Sequence, residues 1–136
     1  MKKLLKSRYT ALVAATLGVA AILGGSLGIV AAGTRQPLGA GFNLAGGPLN
    51  SDVTPDQYVA CLPVGSWNAV YIWDGVNQTW QHYFTTTGAN AVPAYVNSAG
   101  SGGIVVIPKF SGVVILMQSA VASPRLKDSP GESCTP

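Results

Sequence analysis

Between Tyr9 and Gly33 the chain carries no charge and is rich in Ala, Leu, Val, Ile and Gly, with Lys2, Lys3, Lys6 and Arg8 standing before it. Such a run either crosses a bilayer or directs export and is then removed. A membrane helix needs roughly 20 apolar residues, whereas the core of an export signal needs only about 7–15. Thr10 to Ala32 is 23 uncharged residues, a length that favours a retained anchor. Val30-Ala31-Ala32 places small residues where a signal peptidase cuts, which favours removal. The basic residues orient the segment by the positive-inside rule, N-terminus in and the rest of the protein out. Whatever folds in water therefore begins near Thr34 and works outside the cytoplasm, at the cell membrane if residues 9–32 are kept and secreted if they are cleaved.

Ala20, Gly24, Gly28 and Ala32 recur at four-residue spacing within the run. Small residues on one helix face let two backbones approach in lipid, so self-association through this face is one expectation. Ordinary Gly and Ala usage in membrane and export segments accounts for the same pattern.

The overall charge of +3 belongs to this segment. Outside it, Arg35, Lys109, Arg125 and Lys127 face five acids, a net of −1. A domain without a basic surface releases few counterions from a phosphate backbone, and nucleic acid is excluded as a partner. Cys61 and Cys134 are the only cysteines. On the exported side they are expected to form a disulfide, since two free thiols do not persist well in an oxidising compartment. Two cysteines and one histidine do not suggest a zinc site, and no cofactor motif is present.

The exported part reads as mainly β: one small antiparallel, sandwich-like sheet domain with a short helix. Residues 34–40 form a linker, residues 41–117 the β-rich domain, and residues 118–136 a Ser- and Pro-rich flexible tail. Phe42 to Ala45 is expected as a first strand, ended by Gly46-Gly47-Pro48. Thr54-Pro55-Asp56-Gln57 starts a helix that runs to about Leu62, with a capping Thr and Pro at the first helical position. Ala69–Asp74 and Thr79–Phe84, joined by a four-residue turn, predict a hairpin pairing Asp74 with Thr79. Trp73 then faces Trp80, Tyr71 faces His82 and Ala69 faces Phe84. Ile104–Ile107 and Val113–Met117 read as two buried strands joined by a tight loop.

Gly41-Phe42-Asn43-Leu44, then Ala69-Val70-Tyr71-Ile72-Trp73-Asp74, then Thr79-Trp80, Tyr83 and Pro93-Ala94-Tyr95-Val96-Asn97 together resemble a small β module of bacterial exported and cell-surface proteins. In that module a G-x-N-L strand precedes a strand ending W-D, an aromatic hairpin partner, an asparagine and a closing apolar strand after a glycine, the place that Gly112 and Val113–Met117 fill here. The resemblance implies a fold but no catalytic residue.

His82 is the single histidine, so acid–base chemistry must use it or do without. No G-x-S-x-G elbow accompanies it, and Asp74 belongs to the far end of the hairpin, where it caps the turn. The chain is therefore not expected to be an enzyme. The aromatic residues have more reach. Tyr71, Trp73, Trp80 and Phe84 share one face of the hairpin, and in so small a domain that face is expected to be the core, leaving Trp67 and Tyr83 exposed. An exposed ladder would instead stack sugars or dock a protein. The candidate surface is thus Trp67, Tyr71, Trp73, Trp80, His82 and Tyr83. Two functions follow: a non-enzymatic envelope protein presenting a β module for protein contacts, or a glycan-binding module.

Overall fold

The computed structural model describes residues 37–135. The anchor or signal segment and its Ala20, Gly24, Gly28 and Ala32 face lie outside the described residues. Among those described, no helix is long and apolar enough to cross a membrane.

Five elements carry the fold. Strand β1 is Gly41–Gly46, helix α1 is Pro55–Val59, and strands β2, β3 and β4 are Trp67–Asp74, Thr79–Phe84 and Gly112–Met117. The strands form a single antiparallel sheet in the order β1-β4-β2-β3. The hairpin has the register expected from its turn, with Trp73 opposite Trp80, Tyr71 opposite His82 and Ala69 opposite Phe84. Asp74 caps the turn: its Oδ1 accepts the amides of Val76 and Asn77, and its Oδ2 accepts the side chains of Asn77 and Gln81. Helix α1 starts on a full capping box. Gln57 N–H donates to the Thr54 hydroxyl and the Thr54 amide donates back to Gln57 Oε1, which satisfies two otherwise orphaned donors. It ends three residues short of the expected Leu62, because the chain beyond it tightens into turns in which the Ala60 amide donates to the Gln57 carbonyl and the Leu62 amide to the Val59 carbonyl.

β4 lies between β1 and β2, not beside a strand at residues 104–107. That second expectation is corrected. Ile104 and Ile107 are buried, but Val105 and Val106 between them are exposed, so the run lacks the two-residue period of a strand. It makes isolated bridges only, Gly103 to His82 and Ile107 to Val53. Both sides of β4 are already taken by β1 and β2, so no ladder is open to it.

The core lies on one face of the sheet. Val70, Ile72, Tyr83, Val113, Ile115 and Met117 point into it, and Tyr58, Val59, Leu62, Val53, Ile107 and Leu126 pack against them. This second layer is α1 and irregular chain, not a second sheet, so the arrangement is not a sandwich. Residues 118–135, expected as a flexible tail, lie along this layer. Val121 bridges to Leu38, Leu126 is buried, the Lys127 amide donates to the Tyr58 carbonyl, and Arg125 pairs with Glu132. Cys134 is bonded to Cys61 at the end of α1.

The outer edge of β3 is covered as well. The His82 amide donates to the Gly102 carbonyl, and the Ile104 amide donates to the His82 carbonyl. The Asn97 side chain pairs with both backbone groups of Phe84. Asn97 sits at the end of a 3-10 turn, Ala94–Asn97. This approach requires glycine at 103, since a Cβ there would stand 2.1 Å from the Asn97 carbonyl oxygen. Covering an edge in this way removes a template for strand addition.

The disulfide spans 73 residues, a loop for which the chain-entropy relation gives about 4 kcal/mol. Reduction, or a Cys134→Ser change, is expected to lower the unfolding free energy by about that amount in a guanidinium titration. An unchanged midpoint would show that the contacts of Leu126 and Arg125 suffice to hold the tail.

Candidate functional site

The face of the sheet opposite the core has no second layer among the described residues, apart from the segment around Val96 and Gly102 that partly covers His82. Strand alternation places on it three rows of four, each running from β1 through β4 and β2 to β3. The first row is Phe42, Leu116, Ala69 and Phe84; the second is Leu44, Val114, Tyr71 and His82. The third is Gly46, Gly112, Trp73 and Trp80, with Trp73 one register step past the Ile72–Val113 pair. No Lys, Arg, Asp or Glu belongs to any row.

This face was expected to be the core, and here the structure corrects the sequence reading. Phe42 is 73% exposed, Trp73 48% and Trp80 53%. The core formed on the other side because α1, the segment before β4 and the tail pack there, bringing Tyr58, Ile107 and Leu126 against Val70, Val113 and Ile115. The rings on the open face pack mainly edge to face or at an angle. Trp73 and Trp80 have centroids 5.4 Å apart at 65°, and Tyr71 meets Phe84 at 6.2 Å and 87°. Phe42 reaches Tyr71 across β4 at 6.5 Å. Phe42, Tyr71, Val114 and Trp80 line an apolar hollow of about 370 Å³.

A second concavity, about 360 Å³, opens at the glycine end of the third row. Gly46 and Gly112 line it together with Leu44, Ala45, Gly47, Leu49, Phe110 and Ser111. Phe110 has φ of 62°, a left-handed conformation that is costly for a bulky residue. Its amide donates to the Pro48 carbonyl at 2.8 Å, and the ring is left 70% exposed.

The six candidate surface residues divide. Tyr71, Trp73, Trp80 and His82 come together on the open face. Trp67 and Tyr83, expected to be exposed, are each only 8% exposed and stack on one another at 6.3 Å and 23°. The reason for Trp67 is a β-bulge. Trp67 pairs with Met117 and Ala69 with Leu116, so Asn68 is an extra residue and Trp67 is turned to the core side. Tyr83 follows the core parity of β3, and its hydroxyl donates to the Asp56 carboxylate. The half of the face built from Phe42, Leu44, Val114 and Leu116 was missed. Its signal is that every side chain of Val113–Met117 is apolar, so β4 offers an apolar surface on both sides.

His82 is half-buried. Its Nε2 lies 3.2 Å from the Val96 carbonyl oxygen, which requires that nitrogen to donate, and the ring packs on Phe84 at 4.8 Å. No group of three His, Cys, Asp or Glu that could hold a metal occurs among the described residues.

Burial, and after it the Asp56 hydrogen bond, holds the Tyr83 hydroxyl well above its ordinary value of 10.0. Burial and then the nearby Asp128 do the same for Tyr58. A folded-state value above the unfolded one contributes stability that is complete below about pH 10 and is lost as pH rises beyond it. The urea midpoint is therefore expected to hold from pH 7 to 9 and to fall above pH 10, with a shallower fall in Tyr83→Phe. A midpoint indifferent to pH up to 11 would place both hydroxyls in water.

No family model, curated protein or solved structure matches the chain, so the likeness to an exported β module stands on the motif residues alone.

Proposed function

We propose that this chain is a non-enzymatic protein of the cell envelope that presents its open sheet face to another protein. Residues 9–32 either hold it at the membrane or direct its export and are removed. One observation carries this reading: an uncharged face of four strands leaves Phe42, Trp73 and Trp80 about half exposed or more. Contiguous apolar patches of that kind mark protein or membrane contact sites on soluble domains. The Cys61–Cys134 disulfide supports an oxidising compartment, and the basic residues before Tyr9 support an outward domain.

The same aromatic residues suggest a glycan platform, but two features favour a protein. A sugar ring stacks on a flat, open aromatic face, whereas Trp73 and Trp80 are turned edge to face against each other. Sugar hydroxyls also need polar partners beside the ring, and the hollow between Phe42, Tyr71, Val114 and Trp80 has none but the Tyr71 hydroxyl.

Acrylamide is expected to quench two of the three tryptophans in dilute solution, Trp73 and Trp80, and to spare Trp67. Polysaccharides are expected to leave the emission unchanged. Protection of all three tryptophans in the monomer would remove this reading, and a saturable shift with a polysaccharide would replace it with the glycan one.

A further inference from the structure

We infer that the partner of the open face is a second copy of the same chain, docked face to face about a two-fold axis that runs along the strands. This rests on the docking function proposed above and names its occupant.

The relief of the face is unequal in a way that fits itself. In the third row, Trp73 and Trp80 project from β2 and β3, while Gly112 and Gly46 leave the β4 and β1 positions without side chains. The ridge and the hollow thus lie side by side in one chain. A Cβ built on Gly112 meets nothing within 4 Å, so the space above it is open. The groove there holds about 360 Å³, and its exposed walls, Leu49 and Phe110, are apolar.

A two-fold axis between the faces and parallel to the strands keeps each row over itself and exchanges halves. The β2–β3 half of one copy then covers the β4–β1 half of the other. Trp73 and Trp80 seat over Gly112 and Gly46 of the second copy. Large side chains meet small ones in the third row, twice over by the symmetry of an isologous contact, while the other two rows bring Phe42 over Phe84, Leu44 over His82 and Val114 over Tyr71. Aligned sheets pack in this manner with strands about 30° apart and a layer about 10 Å thick. The absence of charge on all three rows means that closing the two faces leaves no charge buried without a partner.

Size sets the strength. Four strands at ~4.8 Å spacing and six residues at ~3.4 Å rise give roughly 400 Å² of flat face per copy. Two such faces total roughly 800 Å² of flat area, below the ~1,200–2,000 Å² of specific, stable interfaces and in the range of weak, transient ones. The dimer is therefore weak and dissociates on dilution, which is compatible with a monomer that folds and exports alone.

The test uses the full chain in a non-ionic detergent, by sedimentation equilibrium over a range of concentrations. Residues 9–33 offer another route to association, so the result is read as the difference between variants that share them. Gly112 has ordinary backbone torsions and open space, so Gly112→Leu is expected to fold with an unchanged melting temperature. It fills the hollow and is expected to raise the dimer dissociation constant at least about tenfold. General stickiness would act in the opposite direction, since the change adds apolar surface. Should Gly112→Leu fail to fold, Trp80→Gln at the exposed end of β3 carries the same expectation. Acrylamide access to the tryptophans is expected to fall with rising concentration in the parent and to stay high in either variant. Association as tight in Gly112→Leu as in the parent overturns the inference, and so does a series of species longer than the dimer. A chain that stays monomeric with two quenchable tryptophans overturns it too, yet leaves the docking function standing. Protected tryptophans in that monomer remove both.

Discussion

The structure depends on β4 occupying the middle of the sheet. Gly112–Met117 pairs with β1 on one side and with β2 on the other, so a strand near the C-terminus joins the first strand to the hairpin. Without it, β1 has no partner and the hairpin has no third strand, and a two-stranded hairpin alone is marginal in water. Such a pairing closes long loops before any contact compensates. The chain offsets that by making β4 apolar on both sides. Val113, Ile115 and Met117 are buried, while Val114 and Leu116 are half-buried on the open face.

That double-sided apolarity explains both what was legible in the sequence and what was not. The hairpin register followed from its turn length and from alternation, two local rules that nothing distant overrode. The α1 cap was equally local. The choice of core face was not, because both faces of the hairpin are apolar or aromatic and pattern alone cannot rank them. It was settled by where the irregular second layer can reach: Tyr58 on α1, Ile107 from the loop before β4 and Leu126 from the tail all meet the Val70 side. Trp67 was misjudged because the strand was expected to begin at Ala69, which left Trp67 in the loop after Gly65; β2 in fact begins at Trp67, and the unpaired Asn68 turns that ring to the Val70 side. A bulge of one residue leaves no compositional trace here.

Ile104–Ile107 failed for a different reason. A four-residue apolar run is compatible with a strand or with a loop that buries two of its members, and burial of Ile104 and Ile107 with exposure of Val105 and Val106 is the second case. The tail was misread because Ser, Pro and charge suggest disorder when read alone. Leu126 and Cys134 are two anchors in that stretch, and two well-placed anchors order a short segment that composition would leave loose. The asparagines of the motif, in contrast, acquire a physical role. Asn43 bonds the Gly39 amide and the Gly39 and Gly41 carbonyls at the entry to β1, and Asn97 completes the edge of β3.

One economy of design links these features to the open face. A domain of this size buries a modest core, and it spends several of its largest side chains, Phe42, Trp73, Trp80 and Phe110, outside it. Phe110 is held there in a left-handed conformation by a turn whose amide donates to the Pro48 carbonyl. The edge of β3 is covered while much of the flat face next to it is left bare, so strand addition at that edge is blocked and the exposed rings of the sheet gather on one side. The disulfide and the ordered tail supply stability from the core side and leave the open face out of the balance. A face on which the fold does not rely is free to be shaped by what it meets.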